Sequence, residues 1–422
     1  MNSMRTPTVL LAVLTCVPSW AATPVWIDTD PSVQRGGHEV DDGFALLQAF
    51  HSKELQVRGV SVVFGNAPLD RAFPIGQRLV QQFGPTGLGA HRGAAGANEL
   101  GLETDATRAL EAALGKERLT ILVLGPATNV ATVLRNHPDL ARNIERIVAV
   151  AGRRPGQHFI TGKAATPFRD FNFELDPEAF AVILRSRVPL VLAPWEISSR
   201  IWLDSSDLAR IRRSGAAREE LTDAAEDWLK VWKSQFGVEG FNPFDTLAVG
   251  YVTSPHLFTC ESLPVQIREM NDDTGGATKK PYLLVGKDIG SDASALYCFA
   301  AQPAFKADLM SRLAEAGLWT RTRAWFLGLG QSYGVNPLIF GAIYVGAIPF
   351  FAASIAWLIR NLKNRRPVAW PLLSAGFFFV SAYLYLIVAG KNIPVWVYLF
   401  IAAMAVFGIV STVRKIRKAV SI

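Results

Sequence analysis

Acidic residues are missing from the last quarter of the chain. From Phe326 to Ile422 there is no Asp or Glu, while nine Lys or Arg occur. The formal net charge of +7 therefore belongs to that tail; with the nine subtracted, the rest of the chain carries about −2. A main body without net positive charge lacks the electrostatic footprint of a nucleic-acid binder, so no nucleic acid is expected as a partner. Cysteine is also scarce, three in 422 residues. With Cys16 in an apolar leader, a disulfide framework cannot hold the fold. Cys260 and Cys298 remain, either to pair in an exported domain or to stay as buried thiols. There are only six histidines, which thins the choice of proton donors near neutral pH. Internal repeats and low-complexity linkers are absent.

Long apolar runs are present, and they sit at the ends. Residues 1–22 read as a signal peptide: Arg5 supplies the charge, 9–17 the apolar core, and Trp20-Ala21-Ala22 a small-residue end. Near the C-terminus, runs at about 338–359, 370–389 and 393–413 are each long enough to cross a bilayer. A basic break at 360–366 and a basic tail at 414–418 fall on one side of three spans, and only Lys391 on the other. The positive-inside rule then puts the C-terminus in the cytoplasm. The expected location is a bacterial-type inner membrane, with the main domain, 23–325, on the periplasmic side and the membrane domain at 326–422. No intramembrane acid or base points to transport.

Between these ends, short apolar segments alternate with amphipathic ones. Strands are expected at 25–27, 55–64, 119–124, 144–151, 188–194, 263–268 and 281–285. Helices are expected at 72–83, 107–114, 128–135, 176–185, 205–233, 243–251 and 305–316. Strands apolar on both faces and alternating with helices predict an α/β fold, with a mainly parallel central sheet flanked by helices.

The chemistry concentrates at 24–46. Asp28 and Asp30 stand where the first strand ends, and Asp41 and Asp42 open the following helix. Open α/β sheets place their ligands at such strand ends. Four carboxylates there cannot all stay ionised without a cation or protons between them. Oxygen ligands of this kind suit a hard ion such as Ca²⁺ or Mg²⁺. An acidic helix start is the plainer alternative.

This stretch resembles the Asp-X-Asp-Pro-Gly-X-Asp-Asp signature of the inosine-uridine-preferring nucleoside hydrolase family. Four further stretches extend the resemblance in order: Val62-Val63-Phe64-Gly65-Asn66; Gly125-Pro126-Ala127-Thr128-Asn129; Asp170-Phe171-Asn172 with Asp176-Pro177-Glu178-Ala179; and Asn242-Pro243-Phe244-Asp245. It implies a nucleoside hydrolase-like fold and hydrolysis of ribonucleosides to base and ribose by a Ca²⁺-activated water. It also implies that Asp30, Asp42, the Thr128 carbonyl and Asp245 bind Ca²⁺. Asp30 would take a proton from the water. Asp41, Asn66 and Asn172 would hold the ribose hydroxyls, with Asp41 and Asn172 counted with Asp30 as catalytic. Asp170 stands where the family has a glutamate at the ribose 5′ end.

The chain also departs from the family. Ser32 replaces the signature glycine, and an inserted loop at 33–40 lengthens the link to Asp41. Lys163-Ala164-Ala165 fill the place of a family asparagine. Phe244 occupies the position of a frequent histidine acid, leaving His91, His158 and His38 as candidates; His91 is placed at the base subsite. Trp195 and Glu196 are candidates for base contact. These departures keep a second reading in view, a nucleoside- or ribose-binding module without turnover. A third, an Asp-X-Asp phosphotransferase, lacks its lysine and leaves Asp41 and Asp42 without a role. The expected partners are a nucleoside and a lipid bilayer; self-association into a homo-oligomer stays open.

Overall fold

Nine strands form one sheet, and β-branched and apolar residues account for its central members. They are β1 (Thr23–Thr29), β2 (Leu55–Val62), β3 (Ala90–Arg92), β4 (Leu119–Val123), β5 (Ile144–Ala149), β6 (Leu190–Leu192), β7 (Phe258–Asn271), β8 (Lys279–Val285) and β9 (Ser294–Ala301). Their spatial order is β8-β7-β9-β6-β5-β4-β1-β2-β3. All pairings from β9 to β3 are parallel, whereas β7 runs antiparallel to both β8 and β9. The structure is a computed structural model and describes residues 22–162, 165–215, 218–276, 279–314, 335 and 337–389.

The alternation of side chains along β1 shows why both faces are apolar. Val25 and Ile27 enter one core with Phe44, Leu46, Trp232 and Phe305; Trp26 enters the other with Ile121, Val130 and Phe180. Helices therefore cover the sheet on two sides. The expected helix at 205–233 is two helices, Ser205–Arg213 and Glu219–Phe236. Gly215, at φ +151°, takes a backbone conformation no helix tolerates. β9 was not foreseen, because its Ser-Ala-Leu-Tyr-Cys-Phe run carries no turn signal of its own. It pairs Cys298 with Cys260 of β7, and the two form a disulfide.

The chain divides into two compact units, one ending at Glu315 and the other beginning at Ala316. In the second, the runs expected at 338–359 and 370–389 are helices Pro337–Lys363 and Ala369–Ala389. They pack together, with Ser354 Oγ 2.7 Å from Ser374 Oγ. Among the described residues one segment, Ala342–Lys363, is long and apolar enough to cross a membrane, at a mean hydropathy of 2.0; Ala369–Ser381 is a shorter apolar stretch. The expectation of three spans thus reduces to one qualifying helix here. The third run, the basic tail and all of the 1–22 leader but its last residue lie outside the described residues.

Candidate active site

A cleft of about 370 Å³, within the range of small-molecule sites, opens beyond the carboxyl ends of β2, β4 and β5, where Asn66, Leu124 and Val150 line it. One wall is acidic and polar: Glu39, Asp41, Asn66, Asp170, Asn172 and Asp245. The other is aromatic: Phe168, Trp195, Trp228, Trp232, Phe236 and Phe244.

Asp30 follows β1 directly and is fully buried. Its Oδ2 accepts the Asn66 N–H at 2.7 Å, while no described residue donates to Oδ1. Two glycines make room for it. A Cβ on Gly65 would lie 1.8 Å from Oδ2, and one on Gly125 would lie 2.7 Å from Oδ1. Asp42 Oδ1 accepts the Thr29 hydroxyl and the Asp30 N–H, the latter at 3.1 Å, and Oδ2 accepts Asn66 Nδ2 at 3.3 Å. Asp41 Oδ1 accepts the Asp42 N–H at 3.0 Å. Glu39 Oε1 accepts the Asp41 N–H, and Oε2 accepts Asn66 Nδ2 at 3.1 Å. One ligand atom from each of Glu39, Asp41 and Asp42 lies within 4.8 Å of the others.

Burial and mutual repulsion act on these acids together. Burial raises Asp30, with the Asp42 charge next, and burial with the Asp41 charge raises Glu39 and Asp245. Asp42 is pushed to about 7 by burial and then by Asp41. Burial raises Asp41 as well. Among the described residues no Lys or Arg pairs with these acids, and an unsatisfied buried carboxylate oxygen is costly. The oxygen-only donor set and the vacant Oδ1 fit a hard divalent ion.

Asn172 donates Nδ2 to the carbonyls of Leu124 and Val150, at 2.7 and 3.1 Å. Asp170 Oδ2 accepts the Gly152 N–H at 2.8 Å, and burial lifts this acid to about 7. Asp28 is a scaffold residue: its Oδ1 accepts from Ser61 and Asn129 inside the sheet, and burial takes it to about 7.

Asp30 and Asp42 do not line the cleft themselves but are joined to it through Asn66, whereas Thr128 and His91 lie elsewhere. Thr128 is buried away from the cleft and donates its hydroxyl to Asp176 at 2.6 Å. It opens the helix Thr128–Asn136, whose own ladder takes its carbonyl. Leu124, just past β4, and Val150, just past β5, line the cleft instead, and the carbonyls of both accept the Asn172 amide, that of Leu124 at the shorter distance. His91 lies on β3 and stacks on Trp26 at 5.6 Å, outside the cleft lining; burial lowers its pKa. His158 pairs with Asp273, and Glu196 with Arg154. His38 does not line the cleft, and Lys163 and Ala164 lie outside the described residues. Sequence reasoning missed Glu39 and Leu124. The signal for Leu124 was its place at a strand end, and Glu39 was hidden in the insertion.

Residues 25–296 match the family described as inosine-uridine preferring nucleoside hydrolase. The chain belongs to this family. As a member it is a nucleoside hydrolase, an enzyme that cleaves N-ribosyl bonds, and the acidic cluster agrees with the metal dependence of such enzymes. It is 28% identical to the pyrimidine-specific ribonucleoside hydrolase RihA of Enterobacter sp. (strain 638), over 62% of this chain and 88% of that one. It is 27% identical to RihA of Citrobacter koseri, over 62% and 89%. The fold of this nucleoside hydrolase is similar to that of a plant nucleoside hydrolase, PpNRh1, with a TM-score of 0.59 at 19% identity, covering 70% of this chain and 99% of that one. A purine-preferring ribonucleoside hydrolase from Gardnerella vaginalis gives 0.57 at 18%, covering 69% and 98%.

Proposed function

We propose that this nucleoside hydrolase works with Ca²⁺ and a water deprotonated by Asp30, while tethered to a membrane. The observation that carries the chemistry is Asp30 Oδ1, a buried carboxylate oxygen with no donor and, in the acids around it, no counter-charge among the described residues. Asp30, Asp42 and Asp245 would hold the ion, with the Leu124 carbonyl as the neutral ligand in place of Thr128. Bound there, Ca²⁺ supplies positive charge that acidifies water and orients a vicinal diol.

The remaining work falls to the chain's own residues. Asp30 takes the proton of the attacking water. Asp41, Asn66 and Asn172 hold the ribose hydroxyls, and Asp170 meets the 5′ end. As the C–N bond breaks, the sugar gains oxocarbenium character, which the surrounding carboxylates stabilise. The base lies against the aromatic wall, where rings stack in offset or edge arrangements. Phe244 has no proton to give, so the departing base is not protonated from that position.

The Asp30→Asn variant tests this assignment. Ribose release from a nucleoside should fall by about 10²–10⁴-fold, the range for a positioned base. A variant that keeps more than half of the activity would remove Asp30 from the role.

The tether rests on a different observation. In the second unit Trp370 is 74% exposed, with Leu373 and Phe377 also turned outward. Helices apolar all round belong in lipid. We place the first unit outside the inner membrane and the C-terminus in the cytoplasm, from the leader and the basic runs. Protease added to spheroplasts should digest the first unit and spare a tag at Ile422; digestion of the tag alone would reverse the topology.

A further inference from the structure

The inserted loop is docked at several points. Ser32 Oγ donates to the Glu39 carbonyl at 3.0 Å, and Arg78 Nη2 donates to the Val33 carbonyl at 3.1 Å. Arg35 reaches Asp223 and Asp227 on the helix Glu219–Phe236, at 2.8 and 3.1 Å. The Gly36 N–H also donates to Asp227 at 3.1 Å. Gly37, at φ +80°, presses on Val231 of the same helix, where a Cβ would lie 2.5 Å from Val231 Cγ2. That helix carries Trp228, Trp232 and Phe236 of the aromatic wall. The loop ends by delivering the Glu39 carboxylate to the acidic wall.

There Glu39 acts on Asn66. The Asn66 amide nitrogen faces Glu39 Oε2 at 3.1 Å and Asp42 Oδ2 at 3.3 Å. Two carboxylates thus hold the nitrogen. Turning the amide over would set Oδ1 against both of them, lone pair to lone pair. No described residue donates to Oδ1. Held this way, Asn66 offers the cleft an acceptor, which suits the O–H of a sugar hydroxyl.

We infer that Glu39 is a positioning residue for the sugar end of the site: it fixes the amide of Asn66 so that Oδ1 receives a ribose hydroxyl. The inference rests on the nucleoside reading above. Glu39 touches no reacting atom; it acts through Asn66.

Glu39→Gln is the direct test, because Gln keeps the size and the acceptor for the Asp41 N–H. It faces Asn66 with an N–H instead of a lone pair, so only the longer contact to Asp42 Oδ2, at 3.3 Å, still holds the amide, and Oδ1 is no longer fixed toward the sugar. Kd and KM are measured on the full chain with a ribonucleoside, its 2′-deoxy and 3′-deoxy analogues, and the Asn66→Ala variant. Glu39→Gln should raise Kd and KM for the ribonucleoside about tenfold, the worth of one charge-assisted hydrogen bond. It should cost nothing on the deoxy analogue that lacks the Asn66 partner. Combined with Asn66→Ala it should add no further loss, as expected for residues acting as one unit. Arg35→Ala, which loosens the loop and leaves Glu39 intact, should shift KM in the same direction by less. Equal losses on all three nucleosides, or full additivity with Asn66→Ala, would overturn the inference while leaving the hydrolase reading intact. A wild-type chain that neither binds nor cleaves any ribonucleoside would overturn both.

Discussion

At the scale of single residues, the carboxylates of the cleft are held by hydrogen bonds that leave their repulsion uncancelled. Folding raises the pKa of Asp42 to about 7 and raises Asp30, Glu39 and Asp245 as well. A carboxylate whose folded pKa exceeds its unfolded value binds more protons when native. The metal-free protein therefore loses stability as pH rises from about 4 toward 7. A divalent ion reverses this, because it favours the ionised forms. Melting temperatures at pH 5 and pH 8, with chelator and with Ca²⁺, should show a gap that widens at the higher pH. A gap independent of pH would separate the ion from these acids. Phe244 gives a second expectation: without an acid there, a riboside of an acidic phenol should be cleaved faster than a nucleoside. A nitrophenyl riboside compared with uridine and inosine checks this by kcat, and equal or slower cleavage would point to another proton donor. Asp30, Asp41, Asp42 and Asp245 are legible in the sequence as candidates, because each stands in a short motif at a strand end or helix start. The strand end near Leu124 and the helix start at Thr128 are both legible to within a residue, but the choice of Thr128 as carbonyl donor rests on the resemblance alone, and its place inside the helix's first turn shows only in the fold. The sequence also could not reveal that Glu39 folds back over Asn66, which depends on contacts with Asp223 and Asp227 nearly 190 positions away.

At the scale of elements, periodicity located most strands and helices, and it failed where tertiary pairing decides. β9 lies between β6 and β7 because the antiparallel β7 needs a neighbour, and nothing local in 294–301 announces that. The same pairing brings Cys260 opposite Cys298. Their sequence separation of 38 makes this a loop whose closure stabilises by about 3–4 kcal/mol in the chain-entropy view. Replacing both cysteines by alanine should lower the melting temperature and leave KM for a nucleoside unchanged, because β7 and β9 contribute no residue to the cleft. An altered KM would show that the far edge of the sheet shapes the site.

At the scale of the whole molecule, the sequence divides by charge and apolarity into a nearly neutral catalytic part and a basic apolar tail, and the structure divides at Glu315. The family accounts for residues 25–296 and leaves the tail outside its reach. The account therefore turns on whether the acidic cleft hydrolyses nucleosides with a metal. The most direct measurement is free ribose released from a panel of purine and pyrimidine ribonucleosides by the full chain in detergent. It is run with Ca²⁺, with a chelator, and with Asp30→Ala. Ribose should appear with Ca²⁺ and be lost on chelation and in the variant. Release that survives both chelation and the loss of Asp30 would contradict the metal and residue assignments. No release across the panel from folded, Ca²⁺-loaded protein would contradict the hydrolytic account itself.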